Sequence, residues 1–257
     1  MIIKAAYLTN YGNNRLTNED GVLLHNMLIT QKDMKSPGFK ILEGDRILLC
    51  VADGMGGHVS GELASESVLS YIRDNQDQLQ SAKTVRKTIV GSKFELNRIA
   101  MAENAYGLGT TLSGVLLRKD KALVFSSGDS RVYRIEKRYL EKITTDHSLV
   151  QNLYNVGAID EEGMRSHPHK NILSSAIIGD LSHEEPEVFI KEISLKVGSQ
   201  LLICTDGLWE SLSNDELMDA TSKDGDIELT STNLLKSSLE KWGKDNISFI
   251  LFQVVDI

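Results

Sequence analysis

The sequence predicts an α+β fold in which antiparallel sheets lie at the centre and helices cover them. Three observations carry this expectation. Strand-like apolar runs are numerous, helical periodicity is confined to a few stretches, and the two do not alternate strictly as crossover units would. A chain of 257 residues with 41% hydrophobic content is large enough for one sizeable core. With only 3 Pro, no Ser/Gly-rich stretch and no single-sign charge block, no linker is visible. No tandem repeat occurs either, so a single domain over 1–257 is expected.

Taken in order, strands are expected at 2–8, 21–29, 47–51, 111–117, 122–126, 132–135, 188–193, 201–204 and 247–255. Ala64, Val68, Tyr71, Ile72 and Leu79 share one face of a helix that follows Gly61. Val85, Ile89, Leu96, Ile99 and Ala100 mark a second helix despite Gly91 in its middle. The capping box Ser213-Asn214-Asp215-Glu216 opens a third, and a fourth runs over 234–242 and stops at Gly243. The less regular stretch 147–180 carries two short helical segments, one ending near Gly157 and one over 161–165. A connection this long is expected to be a functional lid. The stretch 28–45 reads as an extended hairpin or loop.

Composition excludes several classes. A net charge of −8 argues against a surface built for nucleic acid or anionic membranes. The apolar start Met1 to Leu8 is too short for a signal h-region, and no run approaches the roughly 20 apolar residues of a membrane span. A cytoplasmic protein is expected. Cys50 and Cys204 lie inside apolar strands as small buried hydrophobes, and a disulfide between them is unneeded in a domain of this size.

Chemistry enters with two stretches that do the same unusual thing. Ile47 to Gly54 and Leu201 to Gly207 each run an apolar strand straight into Asp-Gly, placing Asp53 and Asp206 at the rim of a core element whose glycine lets the chain turn. Asp129 and Asp245 also flank apolar strands, and Glu19-Asp20 precedes Val22-Leu23-Leu24. Ionised carboxylates are rarely left unpaired at a core edge. If these met in one cleft, each pair about 4 Å apart would repel by roughly 4 kcal/mol at an effective dielectric near 20. Dispersal or bound cations are the two ways out. All-oxygen donors suit Mg²⁺ or Mn²⁺, no His/Cys set has zinc spacing, and no EF-hand loop occurs.

At this point the residues resemble a known family. Asn13-Asn14-Arg15-Leu16-Thr17-Asn18-Glu19-Asp20 comes first, followed by Val51-Ala52-Asp53-Gly54-Met55-Gly56-Gly57-His58 with Gly61-Glu62, and by Gly109-Thr110-Thr111. Ser127-Gly128-Asp129-Ser130-Arg131, Thr145-Asp146-His147-Ser148-Leu149-Val150, Cys204-Thr205-Asp206-Gly207-Leu208-Trp209 and Asp245-Asn246 complete the series. In this order they are similar to the motifs of the metal-dependent serine/threonine phosphatases called PP2C or PPM, in their bacterial form. Each motif is weak alone, but seven in order across nearly the whole chain are specific.

The resemblance implies a central sandwich of two antiparallel β-sheets flanked by helices, a four-layer α-β-β-α arrangement, with two or three Mn²⁺ or Mg²⁺ at one end. It implies that Asp53 bridges two ions, that the Gly54 carbonyl completes one, and that Asp206 and Asp245 hold the other. Glu19 and Asp20 would act partly through water. Asp129 with Asp206 would form a third site, with Thr111 nearby, and Arg15 would bind the phosphate as a guanidinium fork. The implied activity is hydrolysis of phosphoserine and phosphothreonine in proteins by an activated water, with a bacterial-type kinase as counterpart and a monomer as the working form.

The sequence also departs from the family. Met55 stands where the animal branch has His and cannot donate a proton to a leaving alkoxide. Ser174-Ser175 replaces the Thr-Arg common near the end of the lid, Glu210 stands where some members carry Asp, and Trp242-Gly243 replaces a Gly pair. His58 is expected to be structural, and His147, His167 and His169 structural or substrate-facing. Other phosphatase chemistries fail on spacing: the residues six positions after Cys50 and Cys204 are Gly56 and Glu210 instead of Arg, and Asp53-Gly54-Met55 is not Asp-x-Asp. The competing reading from another class is a non-catalytic member that binds a phosphoprotein, disfavoured because every principal ligand is present.

Overall fold

A computed structural model describes residues 1–56, 61–136, 139–182, 184–221, 226–241 and 243–257. The chain begins with β1 (Ile2–Asn10), β2 (Asp20–Leu24), β3 (Met27–Thr30), β4 (Gly38–Glu43) and β5 (Arg46–Met55), then α1 (Gly61–Asp74) and α2 (Ala82–Glu103). Next come β6 (Leu108–Thr110), β7 (Leu112–Arg118), β8 (Lys121–Ser127), β9 (Arg131–Glu136) and β10 (Tyr139–Lys142). The excursion α3 (Leu149–Asn155) and α4 (Glu161–Ser166) precedes β11 (Ile177–Gly179), β12 (Phe189–Ser194) and β13 (Gln200–Cys204). Finally α5 (Asp206–Trp209), α6 (Asn214–Thr221) and α7 (Ile227–Lys241) lead to β14 (Ile247–Asp256).

The strands form two antiparallel sheets. One has the order β10-β9-β13-β14-β1-β4, and the other runs β11-β6-β5-β7-β8-β12 with β2 on β5 and β3 on β2. Alternating side chains sort into three apolar layers. Ile47, Leu49 and Val51 of β5 meet Leu201 and Ile203 of β13 and Ile250 and Phe252 of β14 between the sheets. Leu48, Cys50 and Ala52 turn the other way onto Val68, Ile72, Ile89 and Leu96 of α1 and α2. Leu202 and Cys204 turn onto Leu217 and Leu234 of α6 and α7. Both Asp-Gly strands are thus buried on both faces, which is why they read as continuous apolar runs. Each fully buried Leu or Ile adds about 1.5–3 kcal/mol of transfer free energy. The α-β-β-α layering matches the sequence expectation.

The helix signals act as read at their caps, but α1 ends at Asp74, leaving Leu79 beyond it, and α7 starts at Ile227, ahead of the expected 234. Ser81 caps α2 through a reciprocal bond pair with Thr84, and Gly91 is accepted because the Tyr71 hydroxyl of α1 lies 2.6 Å from where a Cβ would stand. Ser213 and Glu216 exchange backbone-to-side-chain bonds ahead of α6. Gly243, at φ +46, closes α7 by donating to Ser238 O. Trp242 and His58 lie outside the described residues.

Other expectations need correction. The run 21–29 is two strands, because His25 takes φ 55 and reverses the chain between β2 and β3. The stretch 28–45 is not a hairpin: β3 stays on the second sheet while β4 crosses to the edge of the first. Its connection is pinned where Asn10 Nδ2 donates to Met34 O at 2.9 Å and Asn18 Nδ2 to Lys32 O at 2.6 Å. The strands β4 and β10 lie on edges with much of their surface exposed, and β6 and β11 have three residues each, too short for periodicity to register. Cys50 and Cys204 belong to different layers and are free, and burial pushes both thiols up. No helix among the described residues is long and apolar enough to cross a membrane.

The two Asp-Gly glycines serve a different purpose from the turn expected of them. Asp53 and Gly54 lie inside β5, which continues to Met55, and Asp206 starts α5. A Cβ on Gly54 would stand 2.6 Å from Glu19 O and would also collide with Gly61 O, while one on Gly207 would collide with Asn246 O. Both glycines let two backbones touch. Gly207→Ala is therefore expected to lower the unfolding free energy by about 1–3 kcal/mol. Gly44→Ala, whose Cβ would find ordinary space, should stay within about 0.5 kcal/mol. Urea unfolding of both variants checks this, and equal midpoints would contradict it.

Candidate functional site

The site forms where the ends of both sheets meet. Asp20 and Asp53 are direct cross-strand partners on β2 and β5 of one sheet. Asp206 follows β13 and Asp245 precedes β14, neighbouring strands of the other sheet. Asp129 lies in the turn between β8 and β9. Thr205 joins the sheets by donating its hydroxyl to Asp20 Oδ2 at 2.9 Å. Five carboxylates far apart in sequence are thereby brought into mutual electrostatic range.

Their titration reflects that crowding. Burial, then the charges of Asp206, Asp20, Asp129 and Asp245, holds the Asp53 carboxyl well above the ordinary range. Burial and Asp206 do the same to Asp129. Asp20 is lifted by burial and Asp206, partly offset by hydrogen bonds from Ser248 and Thr205. Asp206 is pushed up to about 6 by burial, Asp245 and Glu210. Burial also raises Glu19, which Arg15 partly relieves.

One atom tests whether a cation fits. Asp206 Oδ1 is buried and has no hydrogen-bond partner. Leaving a buried carboxylate oxygen undonated is costly, and here its nearest company is other acids. An all-oxygen donor set with an orphaned buried oxygen suits a hard divalent cation. Among the described residues no three His, Cys, Asp or Glu side chains form a ready-made cage by themselves. Ligation would therefore draw also on water and backbone carbonyls, of which Gly54 supplies one candidate.

Neutral donors hold the carboxylates in place. Asp53 N donates to Thr111 Oγ1 at 3.1 Å, and Thr111 Oγ1 pairs with Ser130 Oγ at 2.7 Å, linking the Asp53 strand to the Asp129 turn. Trp209 Nε1 donates to Asp129 O at 3.1 Å, and Arg131 lies 3.4 Å over the Trp209 ring. Arg131 is in turn fixed by Asp146, its Nη2 donating to Oδ2 at 2.6 Å. His147 Nδ1 accepts from Gly128 N at 3.1 Å, a structural role in the same turn.

The mouth of the site is pinned by Asn246. Its Nδ2 donates to Tyr11 O and Thr17 O, and its Oδ1 accepts from Glu19 N at 2.8 Å. Arg15, on the loop so anchored, is half-exposed and donates through Nη2 to Asp245 Oδ2 at 2.9 Å. Glu19 differs from Asp20 in direction: its carboxyl faces Gly61 at the start of α1. Met55 is half-buried at the end of β5 and holds no titratable proton. The rings of His167 and His169 lie 5.8 Å apart in the excursion, tilted 56° to each other.

Asp20, Asp53, Asp129, Asp206 and Asp245 thus meet in one cluster, with Glu19, Gly54, Thr111 and Arg15 beside it, whereas His167 and His169 do not join it. Not anticipated were the supporting roles of Asn246, Asn18, Thr205, Ser130 and Trp209. Each lies inside a quoted motif, so the motif was the signal. Their function was hidden because a neutral donor has no charge pattern to betray it.

Comparison with known proteins bears on this geometry. The family model described as Protein phosphatase 2C matches residues 30–242. Serine/threonine protein phosphatase PstP of Mycobacterium tuberculosis is 30% identical over 214 residues, covering 81% of this chain and 40% of that protein. Serine/threonine phosphatase stp of Listeria monocytogenes is 31% identical over 220 residues, covering 80% of this chain and 84% of that one. The chain thus spans about two fifths of the mycobacterial relative's length. Among solved structures, the M. tuberculosis phosphatase PstP/Ppp superposes with a TM-score of 0.82 at 26% identity, covering 99% of this chain and 100% of that one. The catalytic domain of PstP in complex with two manganese ions gives 0.78 at 26% identity, with 100% of each chain covered.

The raised carboxyl groups set the sign of a pH dependence. A group whose folded pKa is raised binds more protons folded than unfolded, so stability falls as pH rises from the unfolded value to the folded one. For Asp206 that window runs from 3.8 to about 6. In chelator, the melting temperature is expected to fall across it, and Asp206→Asn should flatten the fall. Added Mn²⁺ at pH 7 should raise the melting temperature of the natural protein. A Tm indifferent to pH and to the ion would contradict the clustered site.

Proposed function

The chain belongs to the protein phosphatase 2C family, and on that premise we propose that it is a metal-dependent protein phosphatase acting on phosphoserine and phosphothreonine. The single observation that carries this reading is the buried, undonated Asp206 oxygen among carboxylates lifted by one another's charge. Asp53 would bridge two Mn²⁺ or Mg²⁺, with Gly54 O, Asp206 and Asp245 completing them. Asp129 with Asp206 would hold a third, and Glu19 and Asp20 would contribute through water. When bound, such ions lower the pKa of water and neutralise charge on phosphoryl oxygens.

The chain's own groups supply position and exclusion. The Arg15 guanidinium stands at the mouth of the cluster on a loop anchored by Asn246, where it can exchange Asp245 for a phosphate in a two-pronged bond. Thr205 and Ser248 hold Asp20 between the sheets without adding positive charge, so the cluster stays anionic enough to attract cations. Met55 leaves the leaving alkoxide to be protonated by water or by another residue. The substrates are Ser/Thr-phosphorylated proteins, among them a cognate bacterial-type kinase, and the enzyme works as a cytoplasmic monomer. The bacterial phosphatases it resembles, and a site complete within one chain, support that reading.

Hydrolysis of a phosphothreonine peptide in Mn²⁺ is the test. Chelation should abolish it, and Asp206→Asn should lower kcat/KM by at least about a hundredfold. Arg15→Ala should raise KM about tenfold, with Arg15→Lys recovering only part of the loss. Turnover that survives chelation or the Asp206 change would overturn the proposal.

A further inference from the structure

The segment 149–173 leaves the body of the protein and returns to the same point. Leu149 N donates to Ile172 O at 2.9 Å, Ser148 and Leu173 form a bridge, and Ser174 N donates to His147 O at 2.9 Å. Of its residues only Val150 and Gln151 are buried, both next to that base. The far half, with α4 and the turn after it, has almost no apolar packing to hold it. A side-chain link to the body is found there: Lys170 Nζ donates to Glu210 Oε1 at 3.1 Å.

The place of that link matters. Glu210 N donates to Asp206 O at 2.7 Å, so Glu210 stands one helical turn beyond a principal carboxylate of the site. Its charge is among those that press on Asp206. With side-chain exposures of 36% and 16%, the pair is shielded enough to hold a geometry and exposed enough to open. The Lys170 ammonium therefore does two things through one contact. It ties the tip of the excursion down, and it offsets one of the negative charges around Asp206.

We propose that Lys170 is a positioning residue that clasps the 149–173 excursion beside the acidic site through Glu210, coupling the docking of the excursion to the site's affinity for divalent cation. The cation half of this proposal rests on the phosphatase reading above, and the clasp itself does not. Losing the clasp from either side should free the excursion, but the two losses should move the cation in opposite directions. Lys170→Ala leaves Glu210 unopposed and makes the site more negative. Glu210→Gln removes that negative charge.

Hydrogen exchange over 156–172 and calorimetric titration with Mn²⁺ read the two halves separately. Exchange is expected to speed up in both Lys170→Ala and Glu210→Gln, to stay near the natural rate in Lys170→Arg, and to be restored in the charge-swapped double variant Lys170→Glu/Glu210→Lys. The Mn²⁺ Kd should tighten about two- to fivefold in Lys170→Ala and weaken by a similar factor in Glu210→Gln, the size expected of a partly exposed pair. At saturating Mn²⁺ the KM for a phosphothreonine peptide should rise about two- to fivefold in Lys170→Ala, with kcat little changed. Unchanged exchange in Lys170→Ala overturns the clasp. Mn²⁺ shifts of the same sign in both variants overturn the coupling. A natural protein that neither binds Mn²⁺ nor hydrolyses the peptide overturns the phosphatase reading and the coupling, while exchange still decides the clasp.

Discussion

Everything in this structure answers to the crowding of five carboxylates at one end of a two-sheet sandwich. Asp20, Asp53, Asp129, Asp206 and Asp245 come from both sheets, and burial with neighbouring charge lifts the first four. Such a cluster tends to push the sheets apart. What holds them is apolar: the inward faces of β5, β13 and β14 interlock between the sheets, and the outward faces are sealed by α1 and α2 on one side and α6 and α7 on the other. The charge is thus mounted on the stiffest part of the molecule. Stiffness is what keeps ligands of like charge from relaxing away from each other.

The way the carboxylates are steadied fits the same constraint. Hydroxyl and amide donors do most of the work: Thr205 to Asp20, Thr111 to the Asp53 strand and to Ser130, and Asn246 to the loop that carries Arg15 and Glu19. A lysine or arginine in those places would neutralise the cluster from inside and weaken its hold on cations. The buried Arg131 partly offsets the rise at Asp129, while its guanidinium is held by Asp146 and packs over Trp209. Trp209 then passes the support on to the Asp129 backbone. Arg15 reaches the cluster directly, pairing with Asp245 at its exposed mouth.

The peripheral features are graded by how tightly they are held. The connection from β3 to β4 is stitched to Asn10 and Asn18, which ties a long surface stretch to the strand ends that carry the site. Among the described residues, the excursion 149–173 has no such stitching beyond its base and the Lys170–Glu210 contact. A segment held by few buried contacts opens at low free energy.

Much of this was legible in the residues themselves. The paired apolar runs ending in Asp-Gly, the capping box at Ser213 and the ordered motif series from Arg15 to Asp245 specify the sandwich, the helices and the acidic set, because burial on two faces and helix capping leave local marks. Edge strands β4, β10, β6 and β11 left almost none, being half-exposed or only three residues long. The glycines after Asp53 and Asp206 were legible as necessary but not for the right reason: it takes the folded chain to bring Gly61 and Asn246 carbonyls against them. Likewise, only the tertiary structure decides that the two cysteines lie in separate layers, that Thr205 reaches across to Asp20, and that Lys170 meets Glu210. The last two contacts join residues 185 and 40 positions apart, and sequence alone records the partners without recording that they meet.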